Sequence, residues 1–518
     1  MMAAMSEIVS TRLRIGMEIH VELSTRSKMF SRAANVAHPD YYDAPPNTLV
    51  DPVVAGLPGA LPVMNRRAIE LSMMVGFALN CTINEFTKWD RKNYFYPDLP
   101  KGYQISQYDL PICSDGFLDI PSDSVEGGTR RINIIRAHLE EDAGKLSHDL
   151  PGGLPFAGTL IDLNRAGTPL LEIVTQPDFE TSQECVTFAR ELRNICRFLE
   201  VSEGIMQRGH MRFEPNINVI IELKDGRTLA TPIVEIKNLN SFKSLRGAIE
   251  FEHQRQIEAW QRDGIEHAPG RKCTYGWDDS RNVTFLQRAK EEDHDYRYFP
   301  DPDLVPVKIS ESWRDEVASC LPELPMPRRT RYREDYGLTL EEALTLTDDR
   351  ELSVFFEDCI QTFLQLDPTN ATRKHAAQQS ANQLLNAGGK RANERHCEIH
   401  KLGISSQQVA QIVILRDAQA IGSSGADTLF GLLCDPGILD DAYTMAERMN
   451  LLQEKDDDQL EAWTLAAIKT QPEAASDFAA GKDAALGRLV GEVMTQSQGR
   501  ADAKAVQEKL RQRLRGGE

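Results

Sequence analysis

Residues 15–23 alternate strictly between apolar and polar side chains, and no other stretch of the chain constrains the fold as strongly. Successive side chains of a β-strand point to opposite faces, so one face of this segment is entirely apolar. The other face carries Glu18, His20 and Glu22. The segment is therefore predicted to be a strand with one face in the core. Its polar face is either a solvated surface or a set of ligands for a hard cation.

Polar side chains line up in the same way on two later segments, residues 211–219 and 234–241. Further carboxylates, amides and cations lie on residues 137–145 and 162–174, between the first strand and these segments. The polar residues concerned are Glu140, Glu141, Asp142, Asp162, Asn164, Arg165, Glu172, Arg212, Glu214, Asn216, Asn218, Glu235 and Lys237.

This combination of carboxylates and cations is typical of phosphoryl transfer. Mg²⁺ binds one or two carboxylates and is completed by water and substrate phosphates, while Lys and Arg hold the remaining phosphate oxygens. Such a reaction needs positioning and charge neutralisation more than covalent work by the protein. The sequence has no zinc-hydrolase helix motif and no Walker loop. The glycines of Gly487–Gly491 lie in a helical region and indicate helix packing or a turn.

The length of 518 residues predicts two or three domains. Residues 1–305 mix alternating strands with predicted helices such as Arg66–Leu79 and Glu180–Leu199, which is an α+β pattern. Prolines and basic residues in Leu321–Arg329 indicate a linker, and strand patterns nearly vanish after it. A second boundary is predicted near 447–458, where charged residues accumulate before a small helical tail.

The region after the linker is predicted to be helical. Thr339-Leu-Glu-Glu342 has the spacing of a helix capping box, and residues 351–360 place apolar side chains at helical intervals.

The net charge of −19 argues against broad affinity for nucleic acids, which usually requires a basic surface. Residues 482–515, here called the basic tail, differ from this average because they carry eight basic and four acidic residues. The basic tail is either a solvated helix face or a contact for an RNA backbone.

Cysteine usage and the N-terminus favour a cytoplasmic protein. The nine cysteines are scattered, odd in number and without a Cys-x-x-Cys pair, as expected of reduced thiols. No run of about 18 apolar residues is present, and residues 1–14 resemble neither a signal peptide nor a transit peptide. The sequence therefore predicts no membrane segment.

Eight blocks, in the same order, resemble the B-subunit family of the aspartyl/glutamyl-tRNA amidotransferases, and the resemblance covers essentially the whole chain. A ninth, formed by residues 486–494 and 499–502, is similar to the C-terminal tail of that family. The eight blocks are Gly16–Leu23, Gly56–Asn65 (GLPGALPVMN), Asp90–Asp98 (DRKNYFYPD), Tyr103–Gln107 (YQISQ), His138–Lys145 (HLEEDAGK), Asp162–Arg165 (DLNR), Glu235–Phe242 (EIKNLNSF) and Asp295–Asp303 (DYRYFPDPD).

The resemblance implies an α+β catalytic cradle, similar to the glutamine synthetase and guanido kinase fold, over residues 1–305. A linker and all-α helical domain (306–447) and a tRNA-binding helical tail domain (448–518) would follow. It implies ATP and Mg²⁺ as cofactors. The implied reaction is transamidation of misacylated Glu-tRNA(Gln) or Asp-tRNA(Asn). The side-chain carboxylate becomes an acyl phosphate, and ammonia displaces phosphate.

Two partner proteins are implied by the same resemblance. An amidase A subunit releases ammonia from glutamine and delivers it through a polar tunnel, and a small C subunit completes a heterotrimer. Two other classes stay open, namely a stand-alone ligase that uses free ammonia and a tRNA-binding module without catalysis.

The resemblance also implies roles for individual residues. Glu18, His20, Glu141 and Glu172 match the metal and nucleotide site, with Glu140 as the neighbouring candidate, and Lys92 matches a lysine at the tunnel exit. Glu214 and Glu235 are candidate second-metal or outer ligands. Candidate contacts to ATP or tRNA are Arg165, Lys237, Asn238, Asn240, Arg500, Lys504 and Arg511.

This sequence departs from the family in one place that matters for metals. Many relatives carry a Cys-x-Cys and Cys-x-x-Cys zinc knuckle, where this chain has Phe30–Ala33 and Asp51–Val54. Without thiolates a tetrahedral zinc site is not expected. Loop packing is expected to hold residues 33–54 instead. A smaller departure is Glu214, where many relatives have the shorter Asp.

Overall fold

The computed structural model describes residues 7–515 except 127, 151, 289–295, 369–371, 436, 439, 454–456 and 498. Two compact units make up the chain, Met1–Pro325 and Met326–Glu518. The first combines a large sheet with helices, whereas the described part of the second is helical. The predicted α+β class is therefore confirmed. Within the described residues, no helix is both long and apolar enough to cross a membrane.

The strands of the first unit form one large sheet and two small two-stranded sheets. The large sheet has the order β15-β14-β13-β11-β1-β10-β7-β5-β4-β16, with β12, β2 and β6 at its side. The strands are β1 (Ile8–Glu22), β2 (Thr82–Ile83), β3 (Phe86–Thr87), β4 (Asp90–Asn93), β5 (Tyr103–Ser106), β6 (Cys113–Pro121), β7 (Thr129–Glu141), β8 (Lys145–Leu150), β9 (Leu154–Asp162), β10 (Pro169–Thr175), β11 (Met211–Leu223), β12 (Thr228–Ala230), β13 (Val234–Lys237), β14 (Cys273–Asp278), β15 (Val283–Arg288), β16 (Phe299–Pro300) and β17 (Val307–Lys308).

The helices of the first unit cover the apolar face of this sheet. α1 (Arg66–Ala78), α2 (Ser182–Phe198) and α3 (Phe242–Asp263) contact the sheet strands, and α4 (Glu311–Ser319) packs on α1. The apolar side chains of residues 15–23 are at most 1% exposed, as the alternation predicts. Thr181 and Glu184 form a capping box that starts α2 and satisfies two of the backbone N–H groups at its beginning.

The central strands are antiparallel and bring the predicted polar segments together. β1 pairs with β10 on one side and with β11 on the other, and β10 pairs with β7. Because one face of these strands is buried, their register fixes which polar side chains meet on the opposite face.

The second unit contains two separate apolar clusters, formed by residues 332–446 and 460–510. Its helices are α5 (Pro325–Glu334), α6 (Leu340–Leu346), α7 (Arg350–Leu366), α8 (Arg373–Asn382), α9 (Gly389–Arg395), α10 (Ser406–Asp417), α11 (Ser423–Leu433), α12 (Ala442–Arg448), α13 (Asp457–Thr470), α14 (Pro472–Ala479), α15 (Ala484–Gln496) and α16 (Ala503–Arg515). A π-helical segment, Gln383–Gly388, joins α8 to α9.

Two sequence predictions for this unit have different outcomes. The capping box of Thr339 and Glu342 is confirmed at the start of α6. The linker predicted over Leu321–Arg329 is helical from Pro325 onward. Prolines are tolerated in the first turn of a helix, where their missing N–H would have no helical partner, so Pro325 and Pro327 do not prevent this helix. The boundaries at residues 305 and 447 stay predictions.

Candidate active site

Rows of polar side chains cross the open face of the sheet. His20 on β1 lies opposite Glu172 on β10 and Arg212 on β11, and Glu172 lies opposite His138 on β7. In the next row Glu18 lies opposite Glu214. Neighbouring strands are about 4.8 Å apart, so side chains in one row are within reach of each other.

The first acidic cluster is formed by His20, Glu140 and Glu172. His20 Nε2 lies 3.4 Å from Glu172 Oε2 and 3.8 Å from Glu140 Oε1. One ligand atom from each of the three residues lies within 4.8 Å of the other two. An imidazole nitrogen and two carboxylates at this spacing can converge on a divalent cation.

The second acidic cluster is formed by Glu18, Glu214 and Glu235, whose carboxylate oxygens meet the same 4.8 Å limit. Lys237 Nζ lies 2.9 Å from Glu214 Oε2 and 3.2 Å from Glu235 Oε1. Lys272 Nζ lies 3.3 Å from the other oxygen of Glu235. The cluster therefore places cations directly beside its carboxylates.

Crowded, buried carboxylates change the acidity of the site. Burial and the charge of Glu172 raise the pKa of Glu140 to about 7, and the same two causes raise the pKa of Glu18. Burial alone would lower the pKa of His20, but the adjacent Glu172 outweighs it and raises that pKa to about 9. Repulsion among these carboxylates favours any added positive charge, whether a proton or a metal ion.

A cavity of about 820 Å³ opens over both clusters. Its walls carry further cations. Tyr94 and Tyr296 also line the cavity, and Lys92 Nζ lies 5.2 Å from the ring centroid of Tyr296. The lining cations are Lys92, Arg165, Arg212, Lys237, Lys272 and Arg288. A cavity of this size, with an acidic floor and cationic walls, can hold a polyanion such as a nucleoside triphosphate together with divalent cations.

The structure brings most of the predicted site residues into this cavity. It is lined by Glu18, His20, Lys92, Glu140, Arg165, Glu172, Glu214, Glu235 and Lys237.

Glu141 is not brought to the site. Its side chain lies on the opposite face of β7 from that of Glu140, where it pairs with Lys101 and accepts a hydrogen bond from the backbone N–H of Ile105 at 3.0 Å. Alternation along the strand explains the difference, because adjacent residues cannot share one face. We therefore transfer the proposed ligand role from Glu141 to Glu140.

Two other sets of predicted contacts also lie outside the cavity lining. Asn238 and Asn240 are exposed in the turn between β13 and α3, and Asn238 has a positive φ of 65°. Arg500, Lys504 and Arg511 belong to the second unit. Arg500 Cζ lies 5.5 Å from the ring centroid of Trp463, whereas Lys504 and Arg511 are exposed.

Four charged residues of the cavity lining were not assigned roles from the sequence, namely Asp142, Arg212, Lys272 and Arg288. The alternation of residues 211–219 predicts Arg212 on the face of Glu214, where the structure places it, but it does not assign Arg212 a role. Lys272 directly precedes β14 and Arg288 is the last residue of β15, and only the pairing of β14 beside β13 brings them to the site.

The region that resembles a zinc knuckle without its cysteines is held by amide side chains. Asn164 Oδ1 accepts a hydrogen bond from Leu49 N at 2.9 Å, and Asn164 Nδ2 donates to Pro45 O at 2.8 Å. Asn47 Nδ2 donates to Ile161 O at 2.9 Å. These hydrogen bonds tie the loop to the segment of residues 161–164.

A family model described as GatB/GatE catalytic domain matches residues 13–315, which include both acidic clusters. The chain belongs to the GatB/GatE family. A second model of this family, described as GatB domain, matches residues 368–514. GatB/GatE relatives are also similar over nearly their full length.

Three of these relatives are named as the B subunit of aspartyl/glutamyl-tRNA(Asn/Gln) amidotransferase. The protein from Caldanaerobacter subterraneus subsp. tengcongensis is 39% identical over 500 residues, which cover 96% of this chain and 98% of the relative. The protein from Rhodopirellula baltica is 41% identical over 482 residues, 92% of each chain. The protein from Thermomicrobium roseum is 41% identical over 503 residues, 96% of this chain and 98% of the relative.

Proposed function

We propose that this chain is the amide-forming subunit of an aspartyl/glutamyl-tRNA(Asn/Gln) amidotransferase. It uses ATP to activate the side-chain carboxylate of Glu or Asp esterified to tRNA, and converts the activated group to the amide. The observation that carries the proposal is the convergence of two acidic clusters and six cations in one cavity. Membership of the GatB/GatE family and the names of the relatives supply the reaction.

The reaction has two steps. First, a carboxylate oxygen of the amino acid attacks the γ-phosphorus of ATP, the bond to the β-phosphate oxygen breaks, and ADP leaves with the electron pair. Second, ammonia attacks the carbonyl carbon of the acyl phosphate, the carbon–oxygen bond to phosphate breaks, and a proton is lost from nitrogen. Both steps bring anionic or electron-rich groups together, so the cations of the cavity reduce repulsion.

The donor sets of the two clusters fit Mg²⁺. His20, Glu140 and Glu172 would hold one ion and Glu18, Glu214 and Glu235 another, and the buried His20 Nδ1 has no hydrogen-bond partner among the described residues. When bound, Mg²⁺ supplies charge neutralisation of the phosphates. Lys237 and Lys272 stand beside the second cluster, where they are suited to bind phosphate oxygens.

The second step of the reaction needs a source of ammonia, and this need implies partner subunits. We propose an amidase A subunit that releases ammonia from glutamine and a small C subunit that joins the two, as in a heterotrimer. Lys92, in the wall of the cavity beside Tyr296, is the proposed residue at the ammonia exit. Residues 1–305 would form the catalytic cradle. The helical domain (306–447) and the tail domain (448–518) would hold the tRNA, in the cytoplasm.

The proposal is tested by amidation assays with Glu-tRNA(Gln) and Asp-tRNA(Asn). The complex of this chain with its partner subunits should form amide from at least one of these substrates when ATP and glutamine are present. ADP should form in step with the amide. Absence of ATP-dependent amide formation from both substrates, with glutamine or with ammonium as nitrogen donor, would contradict the proposal.

The chain purified alone distinguishes the two alternatives. We expect it to use ammonium but not glutamine, because no glutaminase is present. Full activity with ammonium and no stimulation by the partner subunits would favour a stand-alone ligase. Binding of charged tRNA without ADP formation in the complex would favour a binding module.

A further inference from the structure

Arg212 occupies a central place on the floor of the cavity. On β11 it lies opposite His20 and two residues from Glu214, so it stands in a row with the first acidic cluster and beside the second. It lines the cavity that opens over both clusters. Its side chain is 31% exposed, so solvent or a ligand in the cavity can reach part of it.

The guanidinium of Arg212 is held at one nitrogen. Nη2 donates a hydrogen bond to Asp142 Oδ2 and lies 3.8 Å from Glu22 Oε1. Both carboxylates are buried. This anchor fixes the position of the charge without consuming the other donors. Nε is buried and makes no hydrogen bond to any described residue, and no hydrogen bond or ion pair to a described residue engages Nη1.

Arg165, the neighbouring arginine of the same cavity, is bonded differently. Its Nε donates to Ala143 O at 3.0 Å and its Nη2 to Gly144 O at 2.8 Å. Arg165 therefore clasps the turn after β7, whereas Arg212 keeps the N–H groups of Nη1 available for a ligand.

A fixed guanidinium with unused donors suits a phosphoryl group. The planar fork of Arg matches two phosphate oxygens, and charge-assisted hydrogen bonds of this kind are the strong ones. During phosphoryl transfer the charge is spread over the three equatorial oxygens of the transferred group. Six ligand residues crowd the floor of this cavity, five of them carboxylates, so a fixed cation among them offsets repulsion of the incoming phosphate.

We propose that Arg212 is a further catalytic residue, which donates hydrogen bonds to the oxygens of the phosphoryl group as it passes from ATP to the substrate carboxylate. This inference rests on the proposed function and adds a role that the resemblance did not assign. Asp142 acts as a positioning residue, because its hydrogen bond holds the guanidinium in place before substrate binds.

The test uses Arg212→Gln and Arg212→Lys in the full complex, with ammonium as nitrogen donor so that glutamine hydrolysis plays no part. The readout is ADP formed in a single turnover with charged tRNA. Loss of a preorganised donor commonly slows a reaction by about 100- to 1,000-fold, and we expect this for Arg212→Gln. Arg212→Lys keeps the charge but not the fork, so only partial recovery is expected. KM for charged tRNA should change little.

Arg14→Gln is the matched control. Arg14 lies on the same face of β1 as His20, but it is exposed and outside the cavity lining. This variant should therefore keep the wild-type rate. Arg212→Ala supplies a second readout, since added guanidinium ion should restore ADP formation with a saturable dependence on its concentration. A merely structural arginine would not be rescued in this way.

The outcomes separate this inference from the proposed function. A wild-type complex that forms neither ADP nor amide would overturn the proposed function and, with it, this role. An active wild type with an equally active Arg212→Gln variant would overturn the role of Arg212 alone. So would full recovery in Arg212→Lys, or a loss in Arg212→Ala that guanidinium does not restore.

Discussion

Glu140 and Glu141 are adjacent in the chain but lie on opposite faces of β7, and their surroundings give them different tasks. Glu140 faces His20 and Glu172 across the floor of the cavity. Glu141 is 3% exposed, pairs with Lys101 and accepts the N–H of Ile105. The first environment suits a metal ligand, whereas the second ties β7 to β5.

We predict opposite effects for the two isosteric substitutions. Glu140→Gln should slow amide formation on the order of a thousandfold, because it removes a charge from the metal site while keeping its shape. Glu141→Gln should keep the rate within about tenfold but lower the free energy of unfolding by about 1–3 kcal/mol, because it weakens buried hydrogen bonds. Amidation rates with ammonium and denaturant titrations measure both. A Glu141→Gln variant as inactive as Glu140→Gln would contradict the assignment.

The side chain of Lys28 is fully buried, which makes the stability of the protein dependent on pH. Its Nζ donates to Leu163 O at 3.2 Å and to Ala166 O at 2.7 Å. Burial lowers its pKa to about 8, below the value of about 10.4 expected in the unfolded chain. Between these two values the unfolded chain binds more protons at this residue than the folded chain, so unfolding becomes harder as pH rises.

Comparison with Lys28→Met isolates this effect. Between about pH 7.5 and pH 9.5, the free energy of unfolding of the wild type should rise relative to the variant by about 2 kcal/mol. Urea titrations of both proteins across this range provide the measurement. Parallel pH profiles would show that Lys28 keeps an ordinary pKa in the folded protein.

At the scale of elements, residues 33–54 lack the thiolates of a zinc knuckle and are instead tied down by amide hydrogen bonds. Metal analysis of the purified chain should therefore find no stoichiometric zinc, and treatment with a mild chelator should leave the melting temperature unchanged. Asn164→Ala should lower the free energy of unfolding by about 1–3 kcal/mol, because Leu49 N and Pro45 O lose their partner. One tightly bound zinc per chain would mean that other ligands replace the cysteines.

Alternation and capping patterns predicted several elements well. The apolar face of residues 15–23, the helices near Arg66–Leu79 and Glu180–Leu199, and the capping box at Thr339 depend on local spacing that the sequence displays directly. The helix over Pro325–Glu334 was missed because prolines usually mark a break, and their effect in a first turn depends on where the helix begins.

The remaining part of the site depends on which strands become neighbours. Local spacing predicts that Glu140 and Glu141 face opposite sides, but the pairing of β10 with β7 decides which one meets Glu172. Lys272 and Arg288 reach the cavity only because β14 lies parallel to β13 and β15 follows it. Such pairings join residues far apart in sequence, so composition and periodicity do not predict them.

For the whole molecule, the distribution of charge matters more than its sum of −19. In the first unit, six cations line the cavity beside the two acidic clusters. In the basic tail, several cations are already paired with carboxylates. Lys509 Nζ lies 2.9 Å from Asp457, Arg513 Nη1 2.8 Å from Glu461, and Arg515 Nη1 2.7 Å from Asp483.

Lys504 and Arg511 differ from these paired cations. Both are exposed on α16, and neither forms an ion pair with a described residue. If the basic tail contacts the tRNA backbone, these two exposed side chains can do so without first breaking an internal ion pair. A phosphate contact of this kind supplies affinity that is sensitive to salt and does not depend on sequence.

The last prediction separates tRNA holding from chemistry. Truncation near Arg448 removes the whole tail but leaves both acidic clusters in place, so KM for charged tRNA should rise much more than kcat falls.

The double variant Lys504→Ala/Arg511→Ala should act in the same direction. It should also flatten the dependence of log affinity on log salt by roughly 0.7–0.9 per lost contact. Arg513→Ala, which loses an internally paired cation, is the matched control and should leave that slope nearly unchanged. Amidation kinetics of the full complex at two salt concentrations give all three quantities. If truncation changes neither KM nor the salt slope, the basic tail is a solvated helical surface, and the affinity for tRNA must come from other parts of the chain or from its partners.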